Sequence, residues 1–512
     1  MIYLFLQGEG VMRIASGVSR WTMLHFGIAL AALLLAEVLL VFGVADPLAA
    51  LRAPSTLMGV HLITIGWLSL LMFGALFQFI PVIANTSLYS QKLPLYGLIC
   101  IGGGLLAMLV GFFEMGQVSH FAVCLPVGGT LVLIGFTLGG INLAITLWRV
   151  RPVPLHAKFV VFALVFLFLT ALLGISFALV FSLPISTPEF LKVLLGRGLS
   201  LHMAAGLGGW FMLTVMGVSY RLLSMFMLAP DEPRLTTHAA LILTVAGLAL
   251  YVVGGVISLW VGFDPWLLDG AASLLIALGL ASYLADIIEF YRSRKRQHLE
   301  LNSITAAAAL LLISLSLVLG VIALALGELG RLAPAIGYLL VFGGLTGLGL
   351  GQLYKIIPFL TWLEVFGAKL GRGPVPRVQD LVNEPRAKPG FVLYFAASTL
   401  AAIALAIAAY DSSRTVTAVV FRVLVVLQLV GSGMVVVEHW RARHPDPNLK
   451  PSPMKIPGMP SGIKPPLSPA AAKSTTSLPA GGSVAAHVAP QTSPHSSHAA
   501  PHSAAPHTTQ GN

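Results

Sequence analysis

The sequence predicts an all-α polytopic membrane protein of about twelve transmembrane helices, arranged in three pseudo-repeats of four. Three observations carry that prediction. The chain of 512 residues is 57% hydrophobic and only 10% charged, with mean hydropathy +0.90, a balance no water-soluble domain sustains over most of its length. Apolar runs of about 20 residues recur throughout, each long enough to cross a hydrocarbon core of roughly 30 Å. One motif also recurs at near-equal spacing: Gly74-x-x-Phe77-Gln78-Phe79-Ile80, Gly217-x-x-Tyr220-Arg221-Leu222-Leu223 and Gly351-x-x-Tyr354-Lys355-Ile356-Ile357. The first two copies extend backwards to Gly66-Trp67 and Gly209-Trp210, and the third has Gly343-Gly344 at the equivalent place. Repeats this long are multi-helix units, not solenoid turns.

Backbone groups in lipid must be satisfied internally, so each run is a helix; a barrel would show short alternating segments, and none appears. The first run, 21–44, holds His25 and, in its other half, Glu37. The second, 57–83, opens on His61 and carries the first motif; 95–113 and 121–147 complete the first group of four. The second group is 157–182, 200–228, 237–262 and 267–291, in which 200–228 opens on His202 and carries the second motif. The third begins at 305–326, continues through 335–363 with the third motif and no histidine, and ends with 390–409 and 415–437, where Arg422 lies. The motif thus falls on helices 2, 6 and 10.

The net charge of +11 is not a nucleic-acid footprint, because it alternates between loops. Arg149, Arg151, Lys158, Arg292, Arg294, Lys295, Arg296, Arg441 and Arg443 fall on one side, while Arg52, Lys192, Arg197, Arg331 and Arg414 are nearly all that the other side keeps. The positive-inside rule places both termini in the cytoplasm. The expected organisation is a cytoplasmic N-terminus (1–20), a twelve-helix domain (21–440) and a disordered cytoplasmic tail rich in Pro, Ser, Ala and His (441–512) that cannot bury enough apolar surface to offset ordering entropy. The first helix serves as an uncleaved anchor in a bacterial inner membrane. The tail histidines His487, His495, His498, His502 and His507 are spaced irregularly, leaving an inert tail or loose metal capture open. Cys100 and Cys124 form no disulfide framework. The 364–389 loop is expected on the cytoplasmic surface.

Two constellations could carry chemistry. His61 and His202 both open their helices in the outer half of the bilayer, where an ionisable group is costly and marks a functional site by default; imidazole is also a ligand for haem iron and copper. The alternative is a hydrogen bond from each to a loop carbonyl. His61 lies six residues before its Trp and His202 eight; two residues are about 200° of rotation, so the imidazoles are not symmetry copies and could serve different sites. The second constellation is Glu37 with Arg422, at matched depth on helices 1 and 12: either they form an ion pair, or Arg422 neutralises an acidic cofactor group such as a haem propionate. Arg221 and Lys355 are expected to snorkel to headgroups, the Gly-Trp pairs to pack in the core, and His25, His120, His156, His238 and His439 to be interfacial.

The stretch from His61 to Pro81, with His, Gly, an aromatic pair and Pro, resembles the second helix of the haem-copper oxidase superfamily catalytic subunit, above all the nitric-oxide reductase and cbb3-type large subunits. His202-Met-Ala-Ala-Gly-Leu-Gly-Gly-Trp210 and Tyr354-Lys-Ile-Ile-Pro-Phe-Leu-Thr-Trp362 resemble a bacterial oxidase-like group. The resemblance covers most of 15–440, with identity concentrated in helices 2, 6 and 10. It implies that His61 matches a low-spin haem ligand and that His202 falls on the copper-binding helix. The second haem ligand is missing, since helix 10 has no histidine, and the copper set is incomplete, since helix 7 has only His238 at its inner end. The expectation is therefore an oxidase-like inner-membrane protein that does not reduce oxygen. It would bind at most one haem b or one copper ion through His61, His202 and Arg422, in a sensing, electron-relay or nitrogen-oxide-related role. Its partners would be the bilayer and a respiratory-chain or redox protein, with no nucleic acid. The alternative is a cofactor-free permease or assembly partner on the same fold.

Overall fold

The computed structural model describes residues 9–47, 52–115, 123–182, 188–370, 375–411, 415–446 and 449, with side chains from residue 20 onward. The tail histidines, His120, Arg372 and Arg414 lie outside the described residues. Twelve helices are long and apolar enough to cross a membrane: α1 (Arg20–Val41), α2 (Pro54–Ile83), α3 (Leu93–Glu114), α4 (Cys124–Trp148), α5 (Leu155–Ser182), α6 (Gly198–Met227), α7 (Leu235–Val261), α8 (Trp266–Arg292), α9 (Leu301–Ala325), α10 (Leu329–Val365), α11 (Glu384–Ala408) and α12 (Thr415–Arg443). The chain is a multi-pass, all-α membrane protein, and no strand occurs among the described residues. Side chains such as Trp148, Val261, Leu311 and Val416 are more than 60% exposed, an apolar exterior that only lipid satisfies.

The three motif helices form the centre. In α2, α6 and α10, 72%, 67% and 61% of the apolar stretch is buried, against at most 50% in the other nine. Glycine-rich seams bring antiparallel neighbours together, α3 with α4, α7 with α8 and α11 with α12. A Cβ on Gly128 would lie 2.6 Å from the Gly104 carbonyl oxygen and 2.7 Å from the Met108 nitrogen, so the α3 and α4 backbones touch directly, the close approach that small residues permit between membrane helices. Gly128→Val should therefore cost about 1–3 kcal/mol by overpacking and lower the thermal midpoint in detergent. Gly103→Ala, with nothing within 4 Å, should leave it unchanged; equal midpoints for the two variants would show that the seam yields.

Each central helix carries a π-helical segment: Leu62–Ser69 in α2, Ala204–Met212 in α6 and Leu339–Thr346 in α10. Such segments are rare and gather at functional sites. The Gly-Trp and Gly-Gly pairs lie inside all three. Trp67 and Trp210 are fully buried, and their indoles stitch the segments together: Trp210 Nε1 donates to Ser69 Oγ at 3.1 Å and Trp67 Nε1 to Thr346 Oγ1 at 3.0 Å. The core role of the Gly-Trp pairs therefore holds. Ser69 Oγ also donates to the Thr64 carbonyl at 2.8 Å, using a hydroxyl to satisfy a backbone group inside a span.

Element ends differ from the sequence reading in a few places. α11 begins at Glu384, because Asn383 caps it by accepting from the Arg386 nitrogen at 3.1 Å. α12 runs on to Arg443, so the first residues assigned to the tail are helical. The connection between α10 and α11 packs on the bundle: Trp362 Nε1 donates to the Pro376 carbonyl at 2.6 Å, and Trp362, Phe366 and Leu381 form a small core of their own. Cys100 and Cys124 are free thiols.

Candidate functional site

α2 starts with proline at its first position after an extended Ala53, where a missing N–H costs nothing. Two turns in comes His61. Its Nδ1 lies 2.8 Å from the Leu57 carbonyl oxygen. A carbonyl only accepts, so Nδ1 carries the hydrogen and Nε2 keeps a free lone pair. His202, on α6 two residues before the π-helical segment, follows the same rule with a different partner: its Nδ1 donates to the Thr170 carbonyl on α5 at 3.0 Å. Gly174 leaves room for that ring, since a Cβ there would stand 3.2 Å from His202 Cε1.

The two rings come together. Their centroids are 6.4 Å apart with planes 28° from parallel, and both line one cavity of about 270 Å³ between α1, α2, α3, α4, α5, α6 and α10. The 200° offset in sequence, which would send copies on equivalent helices to different places, here brings the imidazoles face to face, because α2 and α6 approach the cavity from different sides. Phe112 packs on His61 at 4.8 Å and Phe177 edges His202 at 6.0 Å. The remaining wall is mostly apolar, with Met108 and Met203 among its side chains and hydroxyls from Thr56, Thr64, Ser69, Thr170 and Tyr338, and contains no Lys, Arg, Asp or Glu among the described residues.

The second constellation is corrected. Glu37 and Arg422 do not pair. Glu37 is completely buried, and its Oε1 accepts from Gln428 Nε2 and Ser432 Oγ, both at 2.8 Å; its Oε2 has no partner. Arg422 lies six residues before Gln428, about 9 Å along the helix, and its nearest carboxylate is Asp46, at 3.9 Å, with the guanidinium side chain 47% exposed. Gly43, which closes α1 with φ +71°, packs under that guanidinium. The junction of α1 and α12 is the expected one, but the depths differ, and lipid-facing exposure lets Arg422 reach the interface instead of a buried acid.

Glu37 is nonetheless connected to the histidine cavity. Tyr338, the last residue before the α10 π-helical segment, lines that cavity and donates to Gln428 Oε1 at 2.9 Å. Sequence reasoning did not single out Tyr338, Gln428 or Ser432. It also passed over Asp286, a buried carboxylate in α8 that accepts from Tyr220, Thr236 and Thr237; an acid inside an apolar span was the available signal. Arg221 and Lys355 do not simply snorkel: Arg221 pairs with Asp231 and Lys355 with Glu300. His25 and His439 are buried, not interfacial, and His25 Nδ1 bonds the Trp21 carbonyl at 2.8 Å.

No protein-family model matches the chain, and no curated protein matches it significantly. The cofactor question therefore rests on the donor set. No group of three or more His, Cys, Asp or Glu able to hold a metal occurs among the described residues. Haem fits in part: an imidazole with a free Nε2 faces an apolar space, but no cation lines the cavity to meet two propionates, and Arg422 is engaged elsewhere. The other candidate is a single ion shared by the two imidazoles. Metal–nitrogen bonds of ~2.0 Å and an imidazole half-width of ~1.1 Å put the ring centroids of two imidazoles on one ion at most about 6 Å apart. The observed 6.4 Å between stacked rings lies a few tenths of an ångström beyond that limit, and imidazole lone pairs lie in the ring plane, so the rings must turn and close slightly to share an ion.

Proposed function

We propose that His61 and His202 hold one copper ion through their Nε2 atoms, and that the chain is an oxidase-like membrane protein with an electron-relay or sensing role rather than an oxygen-reducing one. The shared cavity supports this reading most directly: two neutral imidazoles, each with its N–H anchored to a backbone carbonyl, the outer-shell arrangement typical of metal-bound histidine. Thioethers suit cuprous copper, and Met108 and Met203 line the same cavity. Bound copper would exchange one electron; the protein's part is to orient both rings, cover them with Phe112 and Phe177, and place Tyr338 as the only phenol on the wall among the described residues.

The indole–hydroxyl bonds among three π-helical segments at corresponding places in α2, α6 and α10 support the pseudo-repeat and the likeness to oxidase catalytic subunits. The loop charges support an orientation with both termini in the cytoplasm of a bacterial cell and the histidines near the outer face. A cofactor-free permease or assembly role is favoured by one feature, a cavity much larger than a lone ion needs. Elemental analysis and a reduced-minus-oxidised visible spectrum of the purified protein separate these readings. About one copper per chain without a haem band is expected. A stoichiometric b-type haem band would replace copper with haem, and neither metal nor haem would leave the permease reading.

A further inference from the structure

A second cavity of about 260 Å³ lies between the start of α9, the end of α10 and the connection to α11. It is independent of the histidines: Tyr354 on its wall follows Tyr338 by sixteen residues, about 24 Å along a helix. Two side chains facing it are buried to 2% and 4% exposure, Asn302 and Tyr354, and Asn302 Nδ2 and Tyr354 Oη have no partner. Both atoms are donors. The nearby carboxylates, by contrast, are already engaged. Glu300 Oε1 receives Arg296 and Gln379, Oε2 receives Lys355, and Glu384 Oε1 receives the Leu301 nitrogen at 3.1 Å. Arg296 and Lys355 balance Glu300 and Glu384, the second of which lines the cavity and stays exposed. An ammonium has three hydrogens, and Lys355 uses one of them on Glu300.

Two buried donors without partners, an ammonium with hydrogens to spare and carboxylate oxygens that are already engaged call for a complement with several acceptor atoms. We propose that this cavity binds a phosphate group through Tyr354, Asn302 and Lys355. Its volume exceeds what a bare carboxylate fills, and charge-assisted hydrogen bonds to phosphate are among the stronger ones available. The phosphate comes either from a lipid headgroup, since the site is at the end of a span, or from a phosphorylated solute.

Two measurements on the full-length protein test this. One follows the thermal midpoint in detergent as inorganic phosphate is raised to millimolar levels at constant ionic strength, with chloride as the control. The other uses native mass spectrometry to detect phospholipid retained from nanodiscs containing phosphatidylglycerol. A saturable rise with phosphate identifies a soluble source; one retained lipid per chain without a phosphate response identifies the headgroup. In either case Tyr354→Phe should weaken binding about tenfold, the worth of a hydrogen bond to a charged group, and Asn302→Leu should do likewise. Tyr354→Phe removes only a hydroxyl, so it carries the test if Asn302→Leu fails to fold. Neither response, or responses that survive Tyr354→Phe unchanged, overturns the proposal and leaves the cavity to water.

Discussion

His202→Ala should reduce copper retained by the purified protein from about one ion per chain to less than about a tenth, and His61→Ala should do the same. With only two imidazoles on the cavity, removing either leaves a single protein nitrogen, and the loss exceeds the 10- to 100-fold cost of disturbing an outer-shell partner. Gly174→Ala supplies a graded comparison that leaves both ligands in place. Its Cβ would stand 3.2 Å from His202 Cε1, so the ring must tilt from the Thr170 carbonyl, and copper affinity should fall by about tenfold. Titration with a cuprous chelator on the wild type and all three variants reads these differences directly. If His61→Ala and His202→Ala retain full copper, the metal is held elsewhere and the cavity has another purpose.

The architecture was legible because membrane spans announce themselves through length and hydropathy alone; all twelve runs became helices, with ends displaced by a few residues. The histidine site was half legible. His61 and His202 stood out as ionisable groups at the starts of apolar helices, and both reach the cavity. Their mutual approach was not legible, since it depends on how α2 and α6 face one another. The π-helical segments deepen that difficulty: each residue inserted beyond the 3.6-residue period rotates the following face by about 100°, so a straight-helix projection from Trp67 or Trp210 mislocates its neighbours. The failure at Glu37 has a related cause. Placing Glu37 and Arg422 at matched depth assumes that both helices begin at the same level, whereas the bond to Gln428 shows that they are offset by more than a helical turn. Tyr338, Gln428 and Thr170 are ordinary residues in sequence and acquire a role only through the helices opposite them.

Glu37→Leu should destabilise the protein by about 1–3 kcal/mol, whereas Arg422→Gln should cost less than about 1 kcal/mol. Leucine removes the acceptor shared by Gln428 Nε2 and Ser432 Oγ, leaving two donors without a partner inside the bundle. Interhelical polar contacts in membranes are each worth roughly 0.6–1.7 kcal/mol, which sets the lower part of that range, and stranded donors supply the rest. Glu37→Gln keeps a carbonyl oxygen for both donors, so it should retain most of the stability. Arg422, half exposed and 3.9 Å from Asp46, loses only a screened interaction. Because the two side chains have separate partners, the double variant Glu37→Leu with Arg422→Gln should equal the sum of the singles within about 0.5 kcal/mol. Unfolding in a detergent series measures the wild type and all four variants on one scale. A double variant more stable than Glu37→Leu alone by over about 1 kcal/mol would mean that the guanidinium and the buried carboxyl do interact, and that the hydrogen bonds to Gln428 and Ser432 are not what holds α12 against α1.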